Sequence, residues 1–268
     1  MEHNTLLLQP NGTHNQAYAE PKSSKIGTLT VVGVGPGDPE LITVKGVRRL
    51  QAADVIIAPR AKGADTSQAE QVAAPWLNLE WQQVIPLEFP LNMSPDALDE
   101  MWSAAAELLA GHLLEGQELV YLIVGDPLLF GSFVYLWERL TQRYPQIPVK
   151  MIPGISSVNA GAAAAGVPLA LGSERVALLP ATYEDDPDTL RRMLADFETV
   201  VMLKAGRSFK RLFPFLQVEG LLPYTTVVER ASLPNQRVFH DPWQALEAKL
   251  SYWTLVIVRQ PTHQASKG

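Results

Sequence analysis

Three short glycine- and proline-rich turns constrain this chain more than any other feature, because each directly follows a run of β-forming residues and directly precedes a helical pattern. The first is Gly33-Val34-Gly35-Pro36-Gly37-Asp38-Pro39, after the run 28–34. The second is Gly125-Asp126-Pro127-Leu128-Leu129-Phe130-Gly131, after 119–124, and the third is Ile152-Pro153-Gly154-Ile155-Ser156-Ser157, after 149–152. A turn that leads from the carboxyl end of a strand into a helix lies where open α/β sheets bind ligands. Gly125 and Gly154 let the backbone come close to a bound molecule, while Pro127 and Pro153 hold it rigid. Residues 120–157, with two of these turns on either side of one helix, therefore read as a cofactor cleft.

Around them the chain alternates regularly. Helical spacing over 40–53 (Leu41, Val44, Val47, Leu50) is followed by a strand at 54–58, a helix at 67–77 and a strand at 83–86. Ser94-Pro95-Asp96 then opens a long helix over 97–114, with a capping serine, proline at the first helical position and an acid in the first turn. A strand at 118–124 and a helix at 131–143 complete residues 27–147 as an N-terminal α/β domain with a parallel sheet. The aromatic stripe of that last helix (Phe133, Tyr135, Trp137) reads as core. Residues 148–260 form a second α/β domain with a mixed sheet, in which 156–165 is a helix of small residues suited to close packing. The expected cleft lies between the two domains. The polar residues 1–26 read as a disordered extension and 261–268 as a tail.

Composition narrows the chemistry. A net charge of −6 with a pI near 5.4 gives no basic face for nucleic acid, and no apolar run has the ~18 residues of a membrane span. With no cysteine there is no thiol nucleophile and no thiolate metal ligand, which fits a reducing, cytoplasmic setting. Five scattered histidines and the lack of an H-E-x-x-H pattern argue against a protein-bound metal. Pro36 and the lack of a suitably spaced acid set the first turn apart from a dinucleotide fingerprint. Ser156-Ser157 is not in a nucleophile elbow. Asp126 is open to two readings from local pattern: a carboxylate facing a ligand, or one bonding its own turn.

Taken together and in order, the three turns resemble the S-adenosylmethionine-dependent tetrapyrrole methylases of cobalamin and sirohaem synthesis, over residues 28–259. Within that family, the segments Pro59-Arg60-Ala61-Lys62-Gly63, Val84-Ile85-Pro86-Leu87-Glu88-Phe89 and Val201-Met202-Leu203-Lys204-Ala205-Gly206-Arg207 are most similar to the branch that methylates precorrin-2 at C-20. The branch usually has Tyr-Ser-Thr-Phe where this chain has Phe130-Gly131-Ser132-Phe133, and Met-Lys where it has Leu203-Lys204.

The resemblance implies a cofactor, S-adenosyl-L-methionine, held by Pro36, Gly125, Asp126, Pro127, Leu129, Ser156, Ser157, Leu203 and Ala231. It also implies a small-molecule tetrapyrrole substrate contacted by Gly35, Gly37, Asp38, Arg60, Lys204 and Arg207, and a homodimer. Precorrin-2 carries eight carboxylates, so cations must gather near the cleft of an acidic chain; Arg48, Arg49, Lys62, Lys210 and Arg211 are further candidates. No catalytic residue is fixed at this level: Asp38, Asp126, Tyr135 and water all remain open as the base that takes the meso proton. The rival readings are methylation of uroporphyrinogen III or of a later corrin carbon, and a tetrapyrrole-binding protein without turnover.

Overall fold

The computed structural model describes residues 25–89, 94–181 and 186–261. The expected extension and tail lie outside these, except for Lys25, Ile26 and Pro261. Five strands, β1 (Leu29–Gly33), β2 (Val55–Ala61), β3 (Gln83–Phe89), β4 (Leu119–Ile123) and β5 (Val149–Ile152), form one parallel sheet in the order β3-β2-β4-β1-β5. A parallel sheet is covered on both faces by its crossover helices, and alternate residues of β1 show the consequence. Val31 packs with α3 (Pro95–Leu114) and α4 (Phe133–Arg143), and Val32 with α1 (Val44–Ala52) and α2 (Gln68–Ala73).

The helix starts follow the local chemistry. Thr43 Oγ1 accepts the Gly46 N–H, Ser67 and Glu70 form a reciprocal capping box, and Ser94 caps α3 with Pro95 next to it. On α4 the aromatic stripe divides. Phe133 is fully buried, but Tyr135 remains 54% exposed with its ring against Trp102. Tyr121 of β4 is buried with its hydroxyl unpaired, and burial pushes its phenol pKa up.

The second sheet contains β6 (Val176–Pro180), β7 (Thr199–Leu203), β8 (Thr225–Glu229), β9 (Arg237–Phe239) and β10 (Thr254–Arg259) in the order β6-β7-β10-β8-β9. It is mixed: β6 and β7 are parallel, and β10 runs antiparallel to both β7 and β8. Helices α6 (Pro187–Asp196), α7 (Phe209–Val218) and α8 (Pro242–Glu247) cover one face, and α5 (Ser157–Ala165) covers the other. The small residues of α5 serve this packing. A Cβ on Gly161 would lie 2.5 Å from Leu255 Cδ1, so the helix backbone rests directly on β10.

The strand at 149–152, which a division expected at 147/148 would place in the second half, pairs in parallel with β1 over Leu29–Val149 to Val32–Ile152 and so belongs to the first sheet. Composition does not reveal this, since β5 has no alternation to tie it to either half. The third turn is then the bridge: it leaves the first sheet at Ile152 and enters α5, which packs on the second.

Candidate active site

Strands β4, β1 and β5 are neighbours, so the turns that follow them meet at one end of the sheet. They meet backbone to backbone. Gly125 N–H donates to the Gly35 carbonyl at 2.8 Å and Val34 N–H to the Ile123 carbonyl at 2.9 Å. A Cβ on Gly33 would lie 2.6 Å from both Gly125 O and Gly154 N, and one on Gly154 would overlap the Gly125 carbonyl. Gly125 differs: nothing crowds its Cβ position, but its φ of +76° requires the freedom of glycine.

Asp126 links two of the turns. Its Oδ1 accepts the Leu128 N–H at 2.9 Å and its Oδ2 accepts the Gly154 N–H at 3.1 Å. The carboxylate thus bonds its own turn and clamps the third turn to the second. The first turn reaches across to the other half. Asp38 N–H donates to Ser232 Oγ at 3.1 Å, and a Cβ on Gly37 would lie 2.6 Å from Leu233 Cγ.

Between the halves lies a cleft of about 310 Å³. Pro36, Gly125, Asp126 and Leu129 line it from the first sheet, Ser156 and Ser157 from the start of α5, and Leu203 and Ala231 from the second sheet. Of the nine residues expected at the cofactor, Pro127 alone is not in the wall. It shapes the turn from behind, where a Cβ on Gly131 would lie 2.5 Å from its carbonyl oxygen.

The residues expected at the substrate separate. Lys204 lines the cleft, with Nζ 5.8 Å from the Tyr252 ring centroid. Gly35, Gly37 and Asp38 form the loop edge beside it, and the Asp38 carboxylate accepts the Glu40 N–H at 2.8 Å. Arg60 is not in the wall: it donates to the Asp65 carbonyl and pairs with Glu88 at 3.1 Å. Arg207 borders a separate depression with Lys210 and Lys249. Tyr135, considered as a base, is not in the wall either.

Several lining residues carry no sequence signal: Arg230, Leu233, Tyr252 and Trp253. Backbone geometry marks one of them. Among the described residues four that are not glycine have positive φ, namely Phe130, Lys204, Arg230 and Ser232; the first three line this cleft, and Ser232 lies between the lining residues Ala231 and Leu233. Left-handed backbone costs an L-residue about 1–2 kcal/mol, and such strain concentrates at functional sites. The rim is held from behind by Glu229, which is 3% exposed. Its Oε1 accepts the Ser251 N–H at 2.6 Å and its Oε2 accepts Arg237 Nε–H at 2.7 Å. Burial raises the Glu229 pKa, but the Ser251 N–H and Arg237 more than offset it and leave the carboxyl below its usual range.

Residues 28–247 match a family model described as Tetrapyrrole (Corrin/Porphyrin) Methylases. The chain belongs to that family. Among curated relatives, the precorrin-2 C(20)-methyltransferase of a Sinorhizobium species is 34% identical over 87% of this chain and 95% of its own length. The cobalamin biosynthesis protein CobIJ of Mycobacterium tuberculosis is 38% identical over 79% of this chain, which spans only 42% of that longer protein. A solved uroporphyrin-III C-methyl transferase of Thermus thermophilus, complexed with S-adenyl homocysteine, shares the fold: TM-score 0.61, 24% identity, 87% of this chain and 92% of that one. Among the described residues of this family member no group of acids and histidines is placed to hold a metal, and no helix is long and apolar enough to cross a membrane.

Proposed function

We propose that this chain transfers the methyl group of S-adenosylmethionine to the C-20 meso carbon of precorrin-2, or of its cobalt form, in cobalamin biosynthesis. The observation that carries this reading is the cleft between the halves, lined by eight of the nine expected cofactor residues, six from the three turns and Leu203 and Ala231 from the second sheet. The relatives point the same way, since a relative matched over nearly its whole length is named for that reaction.

The wall fits the cofactor. Its volume is at the lower end of the ~300–1,000 Å³ typical of small-molecule sites, and Leu129, Leu203 and Ala231 offer apolar surface to an adenine. Bound there, the cofactor supplies a methyl group on a sulfonium, open to in-line attack. The protein's part is positioning and exclusion of water, with the reacting atoms held roughly 3–3.5 Å apart. Leu203 and Ala231 close one side, and the turn 125–131 closes the other. Asp126 acts chiefly by holding the second and third turns in register, because both of its oxygens already accept backbone N–H groups. Lys204 faces the anionic substrate, with Gly35, Gly37 and Asp38 at the edge of its site. Arg60 and Arg207 would reach a substrate only where it extends beyond the cleft.

Homodimerisation and a cytoplasmic location belong to the same proposal. Exposed Leu128, Tyr135 and Trp137 support the first, and the lack of cysteine fits the second. Calorimetric titration with S-adenosylhomocysteine tests the cofactor site, with one-site micromolar binding expected. An anaerobic assay with precorrin-2, with and without cobalt, then reads the mass of the product and the methylated position. Methylation of uroporphyrinogen III in place of precorrin-2 would replace this substrate with the rival one. Size-exclusion chromatography with light scattering reads the oligomeric state.

A further inference from the structure

Arg230 occupies the end of β8 at the wall of the cleft, between buried Glu229 and Ala231. Its backbone is fixed at φ +54°, with its N–H donating to the Trp253 carbonyl at 2.7 Å and its carbonyl accepting the Leu233 N–H at 3.0 Å. Its guanidinium forms no hydrogen bond or ion pair with any described residue. Arg60, Arg139, Arg143, Arg175, Arg191, Arg237 and Arg259 differ, since each pairs with a carboxylate.

The acids near Arg230 are already engaged. Glu229 is held by Arg237 and the Ser251 N–H, and both oxygens of Asp126 accept backbone N–H groups. Lys204, the other cation of the wall, also has left-handed backbone and contacts only the face of Tyr252. Two cations without acid partners in a largely apolar cleft concentrate positive potential there, although the chain carries −6 overall. A planar guanidinium binds a carboxylate through two parallel hydrogen bonds, which an ammonium cannot do.

We propose that Arg230 binds a carboxylate of the ligand in the cleft and, together with Lys204, selects for acidic side chains on the tetrapyrrole. The inference rests on the proposed function for the identity of that ligand. A carboxylate is also present on the amino-acid end of the cofactor, so both sources are tested.

The experiment compares wild type, Arg230→Gln and Arg230→Lys in the full chain. Binding of the octacarboxylate uroporphyrin is followed by quenching of tryptophan fluorescence, and binding of S-adenosylhomocysteine by calorimetry. Arg230→Gln is expected to weaken uroporphyrin binding about tenfold or more, the scale of a lost charge-assisted hydrogen bond, while S-adenosylhomocysteine binds as in wild type. Arg230→Lys recovers part of the loss. Coproporphyrin, with half the carboxylates, should discriminate less between wild type and Arg230→Gln. A loss confined to S-adenosylhomocysteine would keep the carboxylate contact and overturn the assignment to the tetrapyrrole. Unchanged binding of both probes by a normally melting Arg230→Gln protein would overturn the proposal altogether. Failure of the functional reading would show separately, as wild-type protein that binds both probes yet releases no methylated product.

Discussion

On the side of the first sheet the cleft is walled by backbone that glycine brings together, whereas on the side of the second sheet it is walled by side chains carried on backbone that would suit glycine better. Gly33, Gly125 and Gly154 approach so closely that the turns after β1, β4 and β5 act as one piece, and Asp126 locks two of them. Across the cleft, Lys204 and Arg230 keep long cationic side chains at φ near +60°. Their positions are imposed by the paired ends of β7, β8 and β10 and by the buried Glu229 that ties the rim behind them. The first wall thus has little room for substitution, and the second gives up local stability for the groups it displays.

The largest effect should come from the crowded wall. In Gly154→Ala the new Cβ would meet only backbone atoms, which cannot swing aside. A loss of about 3 kcal/mol in urea unfolding is expected, the upper range for overpacking, together with loss of S-adenosylhomocysteine binding. A variant that melts like wild type would mean that the three turns are not one rigid unit.

Removing the clamp should do somewhat less. Asp126→Ala leaves two backbone N–H groups without their acceptor, at roughly 2 kcal/mol, and cofactor binding should fall along with the melting temperature. If binding fell while the melting temperature held, Asp126 would be a ligand group instead of a clamp.

On the opposite wall, Glu229→Gln should cost roughly 1.5 kcal/mol at neutral pH by weakening its bonds to Arg237 and the Ser251 N–H. It should also change the acid limb of stability. Because the folded pKa of Glu229 is lowered, its contribution is fully present above the unfolded carboxyl value of about 4.3 and is lost as pH falls through the folded pKa. The variant should therefore lose less stability than wild type on acidification below about pH 4. Parallel pH profiles would assign the acid limb to other carboxylates.

The smallest effect has the opposite sign. Lys204→Gly should raise stability by about 1 kcal/mol by relieving left-handed backbone, while weakening binding of the acidic tetrapyrrole. A destabilised Lys204→Gly protein would show that the contact between Lys204 and Tyr252 outweighs the strain, and the contrast between the walls would fade.

How much of this was legible in the sequence depended on the wall. Gly33, Gly35, Gly125 and Gly154, with Pro36 and Pro127, sit in contiguous turns between strand and helix patterns, so the first wall and its place at the strand ends could be read directly. Asp126 was read as either a turn-bonding or a ligand-facing carboxylate, and the bonds from Leu128 and Gly154 favour the first. Tyr252 and Trp253 belong to no motif. They reach the cleft because β10 lies between β7 and β8, which places residues near 204, 230 and 253 side by side. The resemblance implies Arg60 and Arg207 at the substrate, yet one pairs with Glu88 and the other borders a different depression.

By itself, then, the sequence determined the alternation of elements, the parallel first sheet, the mixed second one and the three turns, because hydrophobic period, capping residues and the backbone limits of glycine and proline act over a few residues. Tertiary structure alone decided that β5 joins the first sheet, that Asp126 clamps two turns, and which cations stand free in the cleft. Those outcomes depend on strand order and on pairings between residues far apart in the chain, which no local pattern records.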